Sequence, residues 1–259
     1  MKNPVQWLER RLAFAPNRRV TNQPGVPYQS SFVRTTDNLD IHVWHLEHPS
    51  PLVDVLFFHG NRGNLGTWCS LLELIQARGA RLAALDYRGY GRSSGQPSER
   101  GLYLDVEAFL DHFWEELHEP GLPVVYWGRS LGGVAAAGAC QKREPDALIL
   151  EATFASKQRL VGHLRYLKWI ARFSDYQFPT ARFLEGRTCP VLVIHALQDK
   201  VVPLLAGKEL YNLLASPKEF FQINGGGHGR VHETQPTRYW ERVSDFFKEI
   251  AESGGPHRH

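Results

Sequence analysis

Apolar residues fall in short runs that alternate with segments of helical spacing along most of this chain. Tyr28–Thr35 and Leu39–Leu46 read as two antiparallel strands around the turn Thr36-Asp37-Asn38. Leu52–Phe58 is a continuous apolar run rich in β-formers. Thr67–Arg78 reads as a helix with Thr67 as N-cap and Gly79 as its stop. Arg81–Leu85 is the next strand. Leu102, Val106, Phe109, Phe113 and Leu117 then recur at helical intervals. Pro123–Trp127 is a strand followed by a small-residue helix, Leu131–Gln141. Ala147–Leu150, Val191–His195 and Phe220–Ile223 are further strands, and Tyr239, Val243, Phe246 and Ile250 mark a closing helix. Nearly continuous apolar strands alternating with helices predict an α/β protein whose parallel sheet is covered on both faces. Ligands of such sheets bind beyond the carboxyl ends of the strands, so reactive residues are expected just after strands.

One glycine-rich turn meets that expectation. Gly128-Arg129-Ser130-Leu131-Gly132 matches G-x-S-x-G between a strand and a helix, the context in which the pattern presents a nucleophilic serine. An ordinary strand–helix turn with an incidental serine is the plainer alternative. A serine hydroxyl also needs a base. Asp199 follows the strand ending at His195, and His228 follows the last strand within Gly225-Gly226-Gly227-His228-Gly229. Their order after Ser130 is that of the acid and base in this kind of site. Glu151 also ends a strand and competes as the acid, although a buried pair with Arg129 accounts for it as well. His195 is expected inside its strand, and His232 at the opening of the final helix. The oxyanion of a tetrahedral intermediate needs preorganised donors. The backbone N–H groups of Leu131 and Asn61 are the candidates, Asn61 lying in the loop His59-Gly60-Asn61-Arg62-Gly63-Asn64.

These words, together with Asp86-Tyr87-Arg88-Gly89-Tyr90-Gly91-Arg92-Ser93, Gly101-Leu102-Tyr103-Leu104-Asp105 and Gly226-Gly227-His228, resemble the α/β-hydrolase superfamily. The resemblance runs from about Val53 to His228, and is strongest to the depalmitoylase-like serine hydrolases and their bacterial relatives. It implies the α/β-hydrolase fold, with a mostly parallel eight-stranded sheet, helices on both faces and a short helical lid. It implies a Ser130-His228-Asp199 triad that cleaves a small-molecule ester or thioester without metal or cofactor. Two departures concern substrate: Ala196 follows His195 where the branch has glycine, and Gly229-Arg230 follow His228 where it often has Asn-Asp. A peptidase is the alternative within the same chemistry, and a non-catalytic binding protein on the same fold is the alternative outside it. Retention of all three triad residues favours an enzyme, and serine at the elbow disfavours a dehalogenase, which would use aspartate.

Residues 156–187 are expected to form the lid. Trp169 and Phe173 are candidates to line an acyl pocket, while packing on the core accounts for such aromatics one by one. Lys157, Arg159, Arg165, Lys168 and Arg172 make the stretch basic, which suits an anionic headgroup or a solvated face equally. In an N-terminal extension over residues 1–25, Val5, Leu8 and Leu12 lie at helical spacing. Packing on the domain is the favoured role for them, and peripheral membrane contact the lesser one. Residues 253–259 read as a disordered polar tail, and the whole chain as one domain.

Composition adds exclusions. With 42% hydrophobic and 22% charged residues the 259-residue chain can bury a sizeable core. A formal charge of +3 with no long basic tract speaks against nucleic acid. Cys69, Cys140 and Cys189 form no CxxC pair, so neither a disulfide framework nor a zinc site is expected. The absence of a signal-peptide pattern or an apolar span points to a cytoplasmic protein.

Overall fold

The computed structural model describes residues 10–164 and 175–253. Eight strands form one sheet: β1 (Tyr28–Arg34), β2 (Asp40–Leu46), β3 (Val53–Phe58), β4 (Ala80–Leu85), β5 (Val124–Arg129), β6 (Ala147–Glu151), β7 (Val191–Ala196) and β8 (Lys218–Ile223). Their spatial order is β8-β7-β6-β5-β3-β4-β2-β1. β2 runs antiparallel to both β1 and β4, and every other pairing is parallel. The alternation of apolar runs predicts the parallel core of this sheet, and the α/β-hydrolase resemblance implies its eight strands and mostly parallel order.

Both faces of the sheet are covered. Along β3, Val53, Val55 and Phe57 enter one apolar cluster while Leu56 and Phe58 enter the other, the period-two alternation of a strand. The first cluster is closed by α1 (Leu65–Gln76) and α8 (Pro236–Ser253). The second is closed by α2 (Glu99–His112), α3 (Leu131–Lys142) and α6 (Leu204–Leu213). The apolar ridge Tyr239, Trp240, Val243, Phe246, Phe247 and Ile250 buries one side of α8, as its spacing predicts.

Several boundaries differ from the sequence reading. The first helix is capped by Asn64 rather than Thr67. Asn64 Oδ1 accepts from Thr67 N at 3.2 Å, and Thr67 Oγ1 accepts from Asn64 N at 3.3 Å, a reciprocal capping box one turn earlier. The helix built on Leu102 and Phe109 ends in a wider turn, Phe113–Leu117. His232 sits in a separate short turn, α7 (Val231–Thr234), instead of opening α8. Ser253 closes α8, so only 254–259 of the expected tail lie outside the described residues, as do Val5 and Leu8. Leu12 is 52% exposed, and Phe14 rather than Leu12 enters the core.

Between β6 and β7 lie α4 (Lys157–His163), capped by Ser156, and α5 (Thr180–Phe183). Arg159 and His163 of α4 both reach Glu209 of α6. Trp169 and Phe173 lie outside the described residues. Among the described residues no helix is long and apolar enough to cross a membrane, and no side-chain cluster suits a metal ion. The three cysteines are buried free thiols.

Candidate active site

The turn from β5 into α3 forces Ser130 to φ 55° and ψ −117°, a conformation that costs a non-glycine residue on the order of 1–3 kcal/mol. Its surroundings hold it there. Ser130 N donates to Glu151 O at 2.8 Å, and Ser130 O accepts from Thr153 Oγ1 at 2.7 Å and Gly133 N at 2.9 Å. The flanking glycines are needed because α3 starts hard against the sheet. A Cβ on Gly132 would overlap the Phe58 carbonyl oxygen, and one on Gly128 would overlap the Gly132 oxygen. The same close approach sets the loop after β3 beside the serine.

Two further loops converge on Ser130. His228 Nε2 lies 2.9 Å from Ser130 Oγ, and His228 Nδ1 lies 2.7 Å from Asp199 Oδ2. Asp199 Oδ1 accepts from the amides of Val201 at 2.8 Å and Val202 at 2.9 Å, so both carboxylate oxygens act as acceptors. The Asp199 side chain is fully buried, whereas the His228 side chain is 19% exposed and Ser130 8% exposed. With Nδ1 donating to the carboxylate, Nε2 carries the lone pair that faces the hydroxyl. A base positioned this way can draw a proton from a serine during attack on an acyl carbon.

The competing residues are engaged elsewhere. Glu151 Oε2 accepts from Trp127 Nε1 at 3.2 Å and Tyr239 OH at 3.0 Å, and Oε1 lies 3.6 Å from Arg129 Nη1. Its partners are those of a buried structural carboxylate. His195 lies within β7, donates from Nε2 to Val202 O at 2.8 Å and stays 3.8 Å from Asp199. Burial holds its ring below the ordinary imidazole value. His232 Nδ1 faces Arg129 Nη1 at 3.3 Å, and burial likewise lowers its basicity.

Arg129 does more than pair with Glu151. Its Nη2 donates to His228 O at 3.1 Å, so the buried guanidinium ties the glycine-rich histidine loop to the elbow. The only sequence signal for this tie is a basic residue at the second position of G-x-S-x-G.

The two expected oxyanion donors lie on different elements, Asn61 in the loop after β3 and Leu131 at the start of α3. Leu131 N belongs to the first turn of α3, where amides lack intrahelical partners. On the facing loop, His59 Nδ1 donates to Gly60 O at 2.7 Å, and His59 Nε2 lies 3.6 Å from Asp86 Oδ1. Burial alone would raise the Asp86 carboxyl. The His42 and His59 imidazoles, 3.5 and 3.6 Å from its oxygens, and the Leu65 amide, which donates to Oδ1 at 2.8 Å, outweigh it and hold Asp86 below the usual carboxylate range. Asp86 thus connects the strand after which it lies, the start of α1 and the His59 loop.

A family model described as serine aminopeptidase, S33, matches residues 49–189. An uncharacterised membrane protein of Saccharomyces cerevisiae is 29% identical over 234 residues, covering 87% of this chain and 81% of that one. Lysophosphatidylserine lipase ABHD12 of Danio rerio is 34% identical over 191 residues, 66% of this chain but only 49% of the lipase, so the match spans about half of that protein. The Pyrococcus furiosus esterase Pf2001 superposes with a TM-score of 0.75 over 91% of this chain and 96% of the esterase, at 19% identity, which speaks to fold. The chain belongs to the serine aminopeptidase S33 family of α/β-hydrolases.

Proposed function

We propose that this chain is a serine hydrolase that cleaves small-molecule carboxylic esters or thioesters through an acyl-enzyme on Ser130. The observation that carries the reading is the unbroken hydrogen-bond chain from Ser130 Oγ through His228 to Asp199 at the carboxyl end of the sheet. Ser130 Oγ attacks the acyl carbon while its proton passes to His228 Nε2. Asp199 keeps Nδ1 protonated and stabilises the imidazolium. The oxyanion is met by the amides of Asn61 and Leu131. Collapse expels the alcohol or thiol, which takes the proton from His228. Water then enters by the same route and releases the acid, returning Ser130 and His228 to their starting states.

The name of the zebrafish relative, a lysophosphatidylserine lipase, supports an ester with a lipid-like acyl group. The family description favours a second reading, an aminopeptidase, because the same geometry attacks amides. A panel of p-nitrophenyl esters, acyl thioesters and aminoacyl amides at one pH separates them. The ester reading expects kcat/KM on at least one ester or thioester to exceed the best amide by about 100-fold, a difference of about 2.7 kcal/mol in transition-state binding. Preferential cleavage of aminoacyl amides would replace it with the peptidase.

A further inference from the structure

A trans peptide points its N–H away from its C=O. Whatever holds Gly60 O therefore aims the Asn61 N–H, and His59 Nδ1 holds it from within the loop. The next peptide unit is held from outside. Asn61 O accepts from Ala15 N at 2.8 Å and from Tyr90 OH at 2.8 Å. Asn61 Nδ2 donates to Leu12 O at 3.3 Å, and Gly63 O accepts from Asn17 N at 2.9 Å. Ala15 and Pro16 thereby pair in parallel with Arg62 and Gly63. Phe14 anchors this crossing. Only 3% exposed, it meets Tyr176 edge-on at 5.7 Å and Phe178 at 6.1 Å. Gly63, at φ 86°, lets the loop turn back against Thr67 at its end.

We propose that Phe14–Asn17 is a positioning segment for the oxyanion loop, with the Ala15 amide holding Asn61 O, the Asn17 amide holding Gly63 O, and Phe14 keeping both in place. The proposal rests on ester hydrolysis with Asn61 as an oxyanion donor. With both peptide units beside its α-carbon pinned, Asn61 presents its N–H without reorganisation when negative charge develops. That stabilisation exists only in the tetrahedral state. Loosening the segment therefore lowers kcat and leaves KM nearly unchanged.

The test uses Ala15→Pro, which deletes the N–H donated to Asn61 O, and Phe14→Ala, with Phe14→Leu as the conservative partner. The probe is an aryl trifluoromethyl ketone, whose adduct with Ser130 places an alkoxide among the oxyanion donors. Removing such a donor outright costs about 10²–10³ in kcat, so loosening one is expected to cost about tenfold or more. Ala15→Pro and Phe14→Ala should show that fall with KM within about twofold, and ketone affinity should weaken by a matching factor. Phe14→Leu should restore most of both. Unchanged kcat and ketone affinity in both variants would overturn the proposal, as would a change confined to KM or a fall in kcat without weaker ketone binding. If Ala15→Pro fails to fold, Phe14→Ala read below its melting midpoint decides by the same criteria. A wild-type protein that cleaves no ester and binds no ketone would instead overturn the hydrolase reading beneath it.

Discussion

Replacing Asp199 by Asn probes the site through hydrogen-bond direction alone, because the side chains are isosteric. Asp199 Oδ2 accepts from His228 Nδ1, and Oδ1 accepts from two amides, those of Val201 and Val202. An amide must turn its NH2 toward one of these sets. Facing Val201 and Val202, it would oppose two N–H donors. Facing His228, it would force Nδ1 to become the acceptor and move the ring proton to Nε2, where it blocks uptake of the Ser130 proton. In established Ser-His-Asp triads the equivalent change costs about 10⁴ in kcat, or about 5 kcal/mol of transition-state stabilisation. Glu151→Gln is the matched control. Its carboxylate faces Arg129, Trp127 and Tyr239, so an amide there either opposes the guanidinium or abandons the two neutral donors. Removing the charge from a buried pair costs about 3 kcal/mol of stability, which lowers Tm by roughly 6–12 °C in a protein of this size. At 25 °C its kcat should stay within about tenfold of wild type, since no transition-state contact is lost. Both variants would be assayed with one p-nitrophenyl ester, alongside melting followed by circular dichroism. If Glu151→Gln loses more kcat than Asp199→Asn while still folded, Glu151 is the acid and the assignment here is wrong.

The pH dependence of stability has a defined sign. Burial lowers the basicity of His195 and His232, so the unfolded chain binds protons below about pH 6.5 that the folded chain refuses, and stability falls as pH drops through that value. Each histidine contributes a slope of up to about 1.4 kcal/mol per pH unit, read from urea midpoints at pH 7.5, 6.5 and 5.5, and stability that is flat or rising across this range contradicts the burial argument. Gly132→Ala should cost about 3 kcal/mol or more, because its methyl meets the Phe58 carbonyl of the sheet itself. Gly162→Ala, inside α4 with open space around it, should be neutral or stabilising by about 0.5–1 kcal/mol in the same urea titration, and equal costs at the two positions would refute the packing account.

The strand alternation, the order of the chemical loops and the elbow were legible because each is written in local sequence. Gly128 and Gly132 signal the backbone approach that exposes Ser130, and the glycines around His228 mark a loop free to reach it. Side-chain partnerships were less legible. Glu151 and Asp199 both follow strands, and only the surrounding donors separate them: Trp127, Arg129 and Tyr239 for one, His228 and two amides for the other. A helix starting at Thr67 leaves out its first turn, which Leu65 and Gly66 open behind the Asn64 cap three residues earlier. The pairing of Ala15–Pro16 with Arg62–Gly63 had no local signal, since a two-residue strand containing proline forms only against a partner distant in sequence.

If Ser130 is a nucleophile activated by His228, a fluorophosphonate probe should find it. Fluorophosphonates are attacked by an activated serine, so the site of labelling, read by peptide mass spectrometry, reports activation without knowledge of the substrate. A single labelled residue, Ser130, is expected, with labelling and ester turnover both lost in Ser130→Ala and labelling slowed by orders of magnitude in His228→Ala. Labelling that persists in folded Ser130→Ala, or that falls on Ser93 or Ser94 in the wild type, would contradict Ser130 as the nucleophile.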